Sequence, residues 1–124
     1  MNDRRFIEES FPVKEVGELS AKEKNIRHGH ISTLHIWWAR RPLAASRATA
    51  YAALTGMPKD PLEWQKKRDF IIKLSQWENS NNQQLLEQAR REILEANNGI
   101  PPKVIDPFTG GGSYPLETLR LGCE

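Results

Sequence analysis

Apolar and polar residues alternate with a helical period in the middle of the chain. Apolar side chains recur at intervals of three or four residues after Asp60, at Phe70, Ile71, Leu74 and Trp77. The stretch that precedes them is a strong helix start, because Asp60 can cap a helix and Pro61 fits its first position. Glu63 can also reach back to the Asp60 amide. The pattern therefore predicts a helix that begins after Asp60.

A second amphipathic helix is predicted from Gln83 to Asn97. Its inward positions are Leu85, Leu86, Ala89, Ile93 and Ala96. Asn98-Gly99 is a typical helix end, and Pro101-Pro102 forbids continuation. The polar run between the two helices breaks the periodicity, so we expect a helical hairpin, and it carries no recognisable chemistry.

The N-terminal half is also predicted to be helical. The charged stretch Phe6 to Lys24 contains one helix that Pro12 can open, with Val13, Val16 and Leu19 roughly on one face. Between Pro42 and Gly56 the chain is rich in alanine, the best helix former, whose small side chain allows close approach. We expect this helix to be buried or half-buried against a sheet that begins at Val104.

The pattern changes again near the C-terminus. A short β-branched run, Lys103 to Asp106, predicts a strand, and Pro107 and three consecutive glycines follow it. Ser113 can cap a last helix that runs to Leu121 and ends at Gly122. A strand, a glycine-rich loop and a helix N-terminus together are typical of one half of a nucleotide-type binding unit.

Composition limits the classes of protein but does not choose among them. The chain has 124 residues, 38% of them hydrophobic and 27% charged, and a net charge of +2 that by itself indicates no polyanionic partner. The single Cys123 excludes an internal disulfide and a cysteine-based zinc site within these residues. Because no apolar run is long enough to span a membrane, we expect a cytoplasmic protein without a membrane partner.

The glycine loop is compatible with few ligands. A Walker-type phosphate loop requires Lys-Ser or Lys-Thr after its last glycine, whereas Ser113-Tyr114 follows here. A dinucleotide fingerprint requires a small third residue where this chain has Pro115. Both phosphate-binding interpretations are therefore disfavoured.

A third interpretation uses the whole motif. Asp106-Pro107-Phe108-Thr109-Gly110-Gly111-Gly112 resembles the cofactor loop Asp-Pro-Phe-x-Gly-x-Gly of S-adenosylmethionine-dependent amino-methyltransferases that act on nucleic acid. That cofactor carries no phosphate, so no lysine is required, and glycines let it lie against the main chain.

Further segments resemble the start of one group in that family, the large adenine-specific DNA methylases with a conserved N-terminal domain of uncharacterised role. They are Lys22-Glu23-Lys24, Arg27-His28-Gly29-His30, Ser32-Thr33-Leu34-His35, Trp37-Trp38-Ala39-Arg40-Arg41-Pro42-Leu43 and Pro115-Leu116-Glu117 to Gly122. The resemblance covers most of the chain except the hairpin from Pro61 to Asn98. Tyr114 departs from it, since a small aliphatic residue is expected there.

The resemblance implies a fold and a function. It implies an α/β protein: a mostly helical N-terminal segment that leads into the first strand–loop–helix of a Rossmann-like class I methyltransferase. It also implies methylation of a DNA base amine, adenine N6 favoured, with the rest of the methyltransferase domain expected in cis. The implied cofactor-binding residues are Asp106, Pro107, Phe108, Gly110, Gly111 and Gly112.

The basic and aromatic segment upstream of the loop has three interpretations. Asn25 to Lys59 contains no Asp or Glu, and its candidate functional residues are His35, Trp37, Trp38, Arg40 and Arg41. They can form a wall of the cofactor pocket, or they can contact DNA, with the arginines and Arg47 on phosphates and a tryptophan on an unstacked base. In the third interpretation the tryptophans are core residues and the arginines are solvated or paired with acids.

The residues of the reaction itself are absent from these 124 residues. The family's Asp/Asn/Ser-Pro-Pro-Tyr/Phe tetrapeptide does not occur, because Pro101-Pro102 is followed by Lys103. We therefore expect a truncated N-terminal part that is not catalytically complete, with no catalytic residue and no metal site. The alternative function is a non-catalytic nucleic-acid-binding or regulatory fragment. The predicted divisions are 1–59 (conserved segment), 60–99 (hairpin insertion) and 100–124 (start of the methyltransferase domain).

Overall fold

The computed structural model describes residues 4–24, 42–108 and 112–124. These residues form six α-helices and one 3₁₀ turn. In chain order the helices are α1 (Phe6–Glu9), α2 (Val13–Lys24), α3 (Leu43–Leu54), α4 (Pro61–Ser75), α5 (Gln83–Ala96) and α6 (Ser113–Arg120), and the 3₁₀ turn (Trp77–Asn79) separates α4 from α5. None of the described helices combines the length and the apolar character that a membrane crossing requires.

Helix α3 is the centre of the fold and packs against all five other α-helices. Its buried apolar residues are Leu43, Ala44, Ala48, Ala50, Tyr51 and Ala52. Alanine presents little more than its backbone, so several helices can approach α3 closely at once. The predicted alanine-rich helix is confirmed, but the elements that cover it are helices and not the expected sheet.

The two helices of the predicted hairpin are also confirmed. Asp60 caps α4 by accepting a hydrogen bond from the Leu62 amide at 3.0 Å, and Asn82 caps α5 through the Leu85 amide at 3.3 Å. The predicted partner of the Asp60 amide, Glu63, pairs with Lys66 instead. Apolar side chains of both helices enter the core, at Phe70, Ile71, Leu74, Leu86, Ala89 and Ile93.

The N-terminal residues are fastened to the end of α3. The Phe6 amide donates to the Thr55 carbonyl at 3.1 Å, and Arg5 and Gly56 form an isolated antiparallel bridge. The Phe6 ring is completely buried. On α2 the predicted apolar face is only partly correct, because Val16 is buried whereas Val13 is 72% exposed.

The predicted strand–loop–helix of a Rossmann-like domain is wrong. Every regular element in the described ranges is helical, and Lys103 to Asp106 belongs to no sheet. Two backbone hydrogen bonds hold it beside the chain end: the Val104 amide donates to the Glu124 carbonyl at 2.6 Å, and the Glu124 amide donates to the Pro102 carbonyl at 2.8 Å. Such a single pairing does not make a strand, since a ladder needs consecutive neighbours.

The side chains of this segment explain why no sheet forms there. Ile105 is 90% exposed, so its β-branched side chain packs on nothing in the described chain. Strand propensity largely reflects packing on a half-buried surface, and local sequence does not supply that surface. The segment is therefore an extended connection between α5 and α6.

Candidate cofactor-binding loop

The Asp-Pro-Phe part of the motif forms a turn that its own carboxylate closes. Asp106 Oδ1 accepts a hydrogen bond from the Phe108 amide at 3.0 Å. This is the two-residue side-chain-to-backbone contact that Asp and Asn favour at turns. The turn leaves Pro107 exposed and the Phe108 ring 82% exposed. The motif thus presents an aromatic face outside the helical core.

The end of the loop begins α6 through a glycine in the left-handed region. Gly112 has a φ of +86° and is the N-cap residue, and its carbonyl accepts the Leu116 amide at 3.0 Å. Ser113, which the sequence predicted as the cap, is instead the first helical residue, and it is buried. Apart from its chain neighbours, no atom of the described residues lies within 4 Å of a Cβ placed on Gly112. Glycine is therefore required here for the backbone conformation and not because a described side chain lies close.

Helix α6 is anchored to α3 by a buried ion pair. Arg47 Nη1 of α3 lies 3.4 Å from Glu117 Oε2 of α6, and both side chains are completely buried. Arg120 donates from Nη1 to Glu117 Oε1 at 2.9 Å, so the carboxylate lies between two guanidinium groups. Burial raises the pKa of Glu117, against the opposing effect of Arg47 and Arg120, which lower it.

The two arginines of this cluster also bind backbone carbonyls of other elements. Arg47 Nε donates to the Leu74 carbonyl of α4 at 2.6 Å. Arg120 donates to the Ser80 carbonyl and, at 3.0 Å, to the side chain of Asn81. The buried cluster of Arg47, Glu117 and Arg120 therefore ties α3, α4, α6 and the α4–α5 connection together.

The sequence did not reveal this cluster, although one signal was present. One interpretation of the basic segment placed Arg47 on a DNA phosphate and another paired the arginines with acids. For Arg47 the second is correct, because its side chain is fully buried in an ion pair with Glu117. Arg47 lies on the same helical face as Ala44 and Tyr51, which are both buried. A lone arginine on an apolar face predicts a buried charge with an acidic partner.

The structure places only some of the predicted site residues. Asp106, Pro107 and Phe108 lie on the turn, and Gly112 lies at the start of α6. The other predicted residues lie outside the described residues: Gly110 and Gly111 in the loop, and His35, Trp37, Trp38, Arg40 and Arg41 upstream. Their roles stay predictions, as does the cofactor itself.

A second group of titratable side chains lies away from the loop, near a cavity of about 570 Å³ between α4 and α5 that Lys67 and Glu92 line. The Tyr51 hydroxyl donates to Glu92 Oε2 at 2.5 Å, and the Lys67 ammonium donates to the Gly56 carbonyl at 2.6 Å. Burial raises the pKa of Tyr51 and lowers the pKa of Lys67. Each group has a partner that explains its position, so we read this set as structural.

Within the described part of the chain, no group of three or more His, Cys, Asp and Glu side chains lies close enough to hold a metal ion. The three histidines His28, His30 and His35 lie outside the described residues. Cys123 is buried, as expected for a small apolar residue after the last helix, and burial raises the pKa of its thiol.

Comparison with protein families gives one match. Residues 10–94 match the family described as "Protein of unknown function (DUF1156)", which covers more than half of the chain. This chain belongs to the DUF1156 family. Neither the curated proteins nor the solved structures contain a significant match to it.

The DUF1156 match covers the central helices and ends before the candidate loop. It contains α2, α3, α4 and most of α5, and therefore also Arg47. The turn at Asp106 and helix α6 lie C-terminal to it. The buried ion pair of Arg47 and Glu117 thus joins the DUF1156 region to the element that follows the candidate loop.

Proposed function

We propose that this chain is the N-terminal part of an S-adenosylmethionine-dependent DNA methyltransferase that modifies a base amine, adenine N6 favoured. Its contribution is the cofactor loop Asp106 to Gly112. The motif Asp-Pro-Phe-x-Gly-x-Gly carries the proposal, together with the upstream segments that resemble adenine-specific DNA methylases. The DUF1156 region, in this proposal, is the N-terminal domain of such an enzyme.

The geometry of the described loop residues is compatible with this cofactor. Among the described residues, no side chain beyond the chain neighbours lies within 4 Å of a Cβ placed on Gly112, which supports close approach of a ligand to the main chain there. The Phe108 ring, four residues earlier in the sequence, is exposed and offers an aromatic surface to an adenosine or a methionine chain. A nucleoside without phosphate can use both features.

Each loop residue has a proposed task. The Asp106 carboxylate closes the turn through one oxygen and offers negative charge for the ammonium of the cofactor's methionine. The first amides of α6 point out of the helix start and offer donors and partial positive charge to the methionine carboxylate. When bound, S-adenosylmethionine supplies an electrophilic methyl group for transfer to a base nitrogen.

The remaining tasks of methyl transfer require residues other than those of the cofactor loop. Transfer to an amine needs an acceptor for its proton and a support for the extruded base, and the family's tetrapeptide for both does not occur in the 124 residues. We propose that the rest of the methyltransferase supplies them in cis. The exposed apolar side chains of Ile105, Phe108 and Leu119 are available for that contact. Trp37, Trp38, Arg40 and Arg41, with His35, are proposed for the pocket wall or the DNA.

The cofactor assignment can be tested with two matched substitutions in one segment. Phe108 and Ile105 are both exposed apolar residues, but only Phe108 belongs to the motif. We expect Phe108→Ala to weaken S-adenosylmethionine binding about tenfold in calorimetry, because roughly 1.4 kcal/mol of apolar contact is lost. Ile105→Ala should leave the affinity unchanged. Equal effects of the two substitutions, or no binding by the unsubstituted chain, would contradict the assignment.

A second assay separates binding from catalysis. With methyl-labelled cofactor and DNA, we expect this chain to transfer no label, since it lacks the proton acceptor. Label incorporated into DNA would show that the chain is catalytically complete. DNA binding without any cofactor binding would instead favour the alternative of a non-catalytic nucleic-acid-binding fragment.

A further inference from the structure

The position of the candidate loop depends on the position of α6. Gly112 is both the end of the loop and the N-cap residue of α6, so any movement of α6 moves this end of the loop. Glu117 follows Gly112 by five residues, which is about 7.5 Å along a helix at about 1.5 Å per residue. A contact that fixes Glu117 therefore fixes the loop end through less than two helical turns.

The contact that fixes Glu117 is made by the central helix. Arg47 and Glu117 are both completely buried, and their charged atoms lie 3.4 Å apart. Two charges removed from water need each other, because breaking such a pair leaves an uncompensated charge in the core. Arg47 is itself held in place by its Nε hydrogen bond to the Leu74 carbonyl at 2.6 Å. The buried charge of Arg47 therefore limits how far Glu117, and with it α6, can move from α3.

The apolar contacts of α6 do not by themselves fix its position on α3. Leu119 is 64% exposed, and the buried positions of α6 are Ser113, Glu117 and Thr118, which are polar. Its apolar contacts with the core come from the half-buried Tyr114 and from Leu121 at its C-terminal cap, and its contact with α3 is the most extensive between two helices in the described chain. Apolar contacts are non-directional, so the buried charges of Arg47, Glu117 and Arg120 add a further constraint on how α6 lies on α3.

We propose that Arg47 of the DUF1156 region is a positioning residue for the cofactor loop, acting through Glu117. It holds α6 at one place on α3 and thereby sets where Gly112 and the turn at Phe108 lie. The task of Arg47 in cofactor binding rests on the proposed function. The control of the loop position by Arg47 does not rest on the proposed function. Cofactor binding and loop position can be measured separately.

The experiment compares amide hydrogen exchange in the full 124-residue chain and in four variants: Arg47→Met, Arg47→Met/Glu117→Leu, Arg47→Lys and the control Arg68→Met. Arg47→Met removes the charge and leaves Glu117 buried with Arg120 as its remaining partner, whereas Arg47→Met/Glu117→Leu replaces the pair with apolar groups of similar volume and keeps a folded core. Arg68→Met is the matched control, because Arg68 forms an ion pair with Glu15 at 2.5 Å that joins α2 to α4 and does not involve α6. Exchange is followed at Phe108 and Leu116, and at Leu86 and Ala89 of α5 as the reference.

We expect the double variant to exchange at least about tenfold faster at Phe108 and Leu116, with α5 unchanged. Arg68→Met should leave the loop amides as they are. Arg47→Lys, which keeps the charge but not the planar fork, should restore part of the protection. Unchanged loop exchange in the double variant, or an equal rise at Leu86 and Ala89, would overturn the proposal, since either result would give Arg47 a merely structural role.

A cofactor titration of the same variants separates this inference from the proposed function. If the unsubstituted chain does not bind S-adenosylmethionine but the loop amides respond to Arg47, the proposed function fails and the control of the loop stands. If the unsubstituted chain binds and the double variant binds with the same affinity, the positioning task of Arg47 in binding is refuted. We expect the double variant to bind about tenfold more weakly at an unchanged melting temperature.

Discussion

The structural roles of some residues in this protein can be predicted from the sequence, and those of others cannot. Gly112 was marked by the motif, and its left-handed backbone gives the physical reason for a glycine at that position. Pairing of Arg47 with an acid was one of three interpretations, but the acid itself was not predicted, because Glu117 lies 70 residues away and no local pattern connects them. The alanine face around Arg47 indicated burial but could not indicate which acid it meets.

Substitutions of two glycines should have opposite effects on stability. Gly112→Ala forces a Cβ into the left-handed region and should lower the free energy of unfolding by about 1–2 kcal/mol. Gly17→Ala is the control, because Gly17 is exposed inside α2 and a Cβ there meets nothing within 4 Å. It should raise the free energy of unfolding by about 0.5–1 kcal/mol. Chemical denaturation measures both, and equal destabilisation would contradict the backbone argument.

At the scale of elements, local signals predicted the helices correctly and the strand incorrectly. Helices α3, α4 and α5 are encoded by alanine content, caps and apolar spacing, all of which act within a few residues. A strand needs a partner, and the described backbone pairing of the segment Lys103 to Asp106 is the hydrogen bond from the Val104 amide to the Glu124 carbonyl. Two β-branched residues between prolines were too little evidence for a sheet that must form by distant pairing.

The cap of α4 offers a test at this scale. Asp60→Ala removes the acceptor for the Leu62 amide and should lower the free energy of unfolding by about 1 kcal/mol. Asp60→Asn keeps an acceptor at the same place and should cost only a few tenths of that amount. Urea titration of the two variants measures the difference. Equal losses would show that charge near the helix start, and not the hydrogen bond, stabilises α4.

At the scale of the molecule, one core connects segments that the sequence divides. Buried side chains of the core come from each predicted division: Phe6 and Tyr51 from 1–59, Ile71 and Ile93 from 60–99, and Leu121 from 100–124. The division itself stays a prediction, because shared packing and separate ancestry are compatible. The candidate site was likewise predicted only in part. The motif identified its residues, but nothing in the motif indicated that α6 is held by α3.

Shared packing predicts cooperative unfolding. We expect tryptophan fluorescence and far-ultraviolet circular dichroism to report one transition with the same midpoint in urea, as for small domains with a single core. The slopes with denaturant should also agree. If the predicted hairpin 60–99 unfolds in a separate step, the two signals will separate, because Trp64 and Trp77 lie within it.

The cofactor loop is the central claim, and glycine amides can test it directly. Nitrogen-15 labelling at glycine alone gives signals from eight residues, of which Gly110, Gly111 and Gly112 lie in the loop and Gly17, Gly56 and Gly99 lie elsewhere. During titration with S-adenosylmethionine we expect the three loop signals to shift along one saturating curve while the other three stay in place. Loop signals that do not move at saturating cofactor, or shifts of equal size at Gly17, Gly56 and Gly99, would contradict the account.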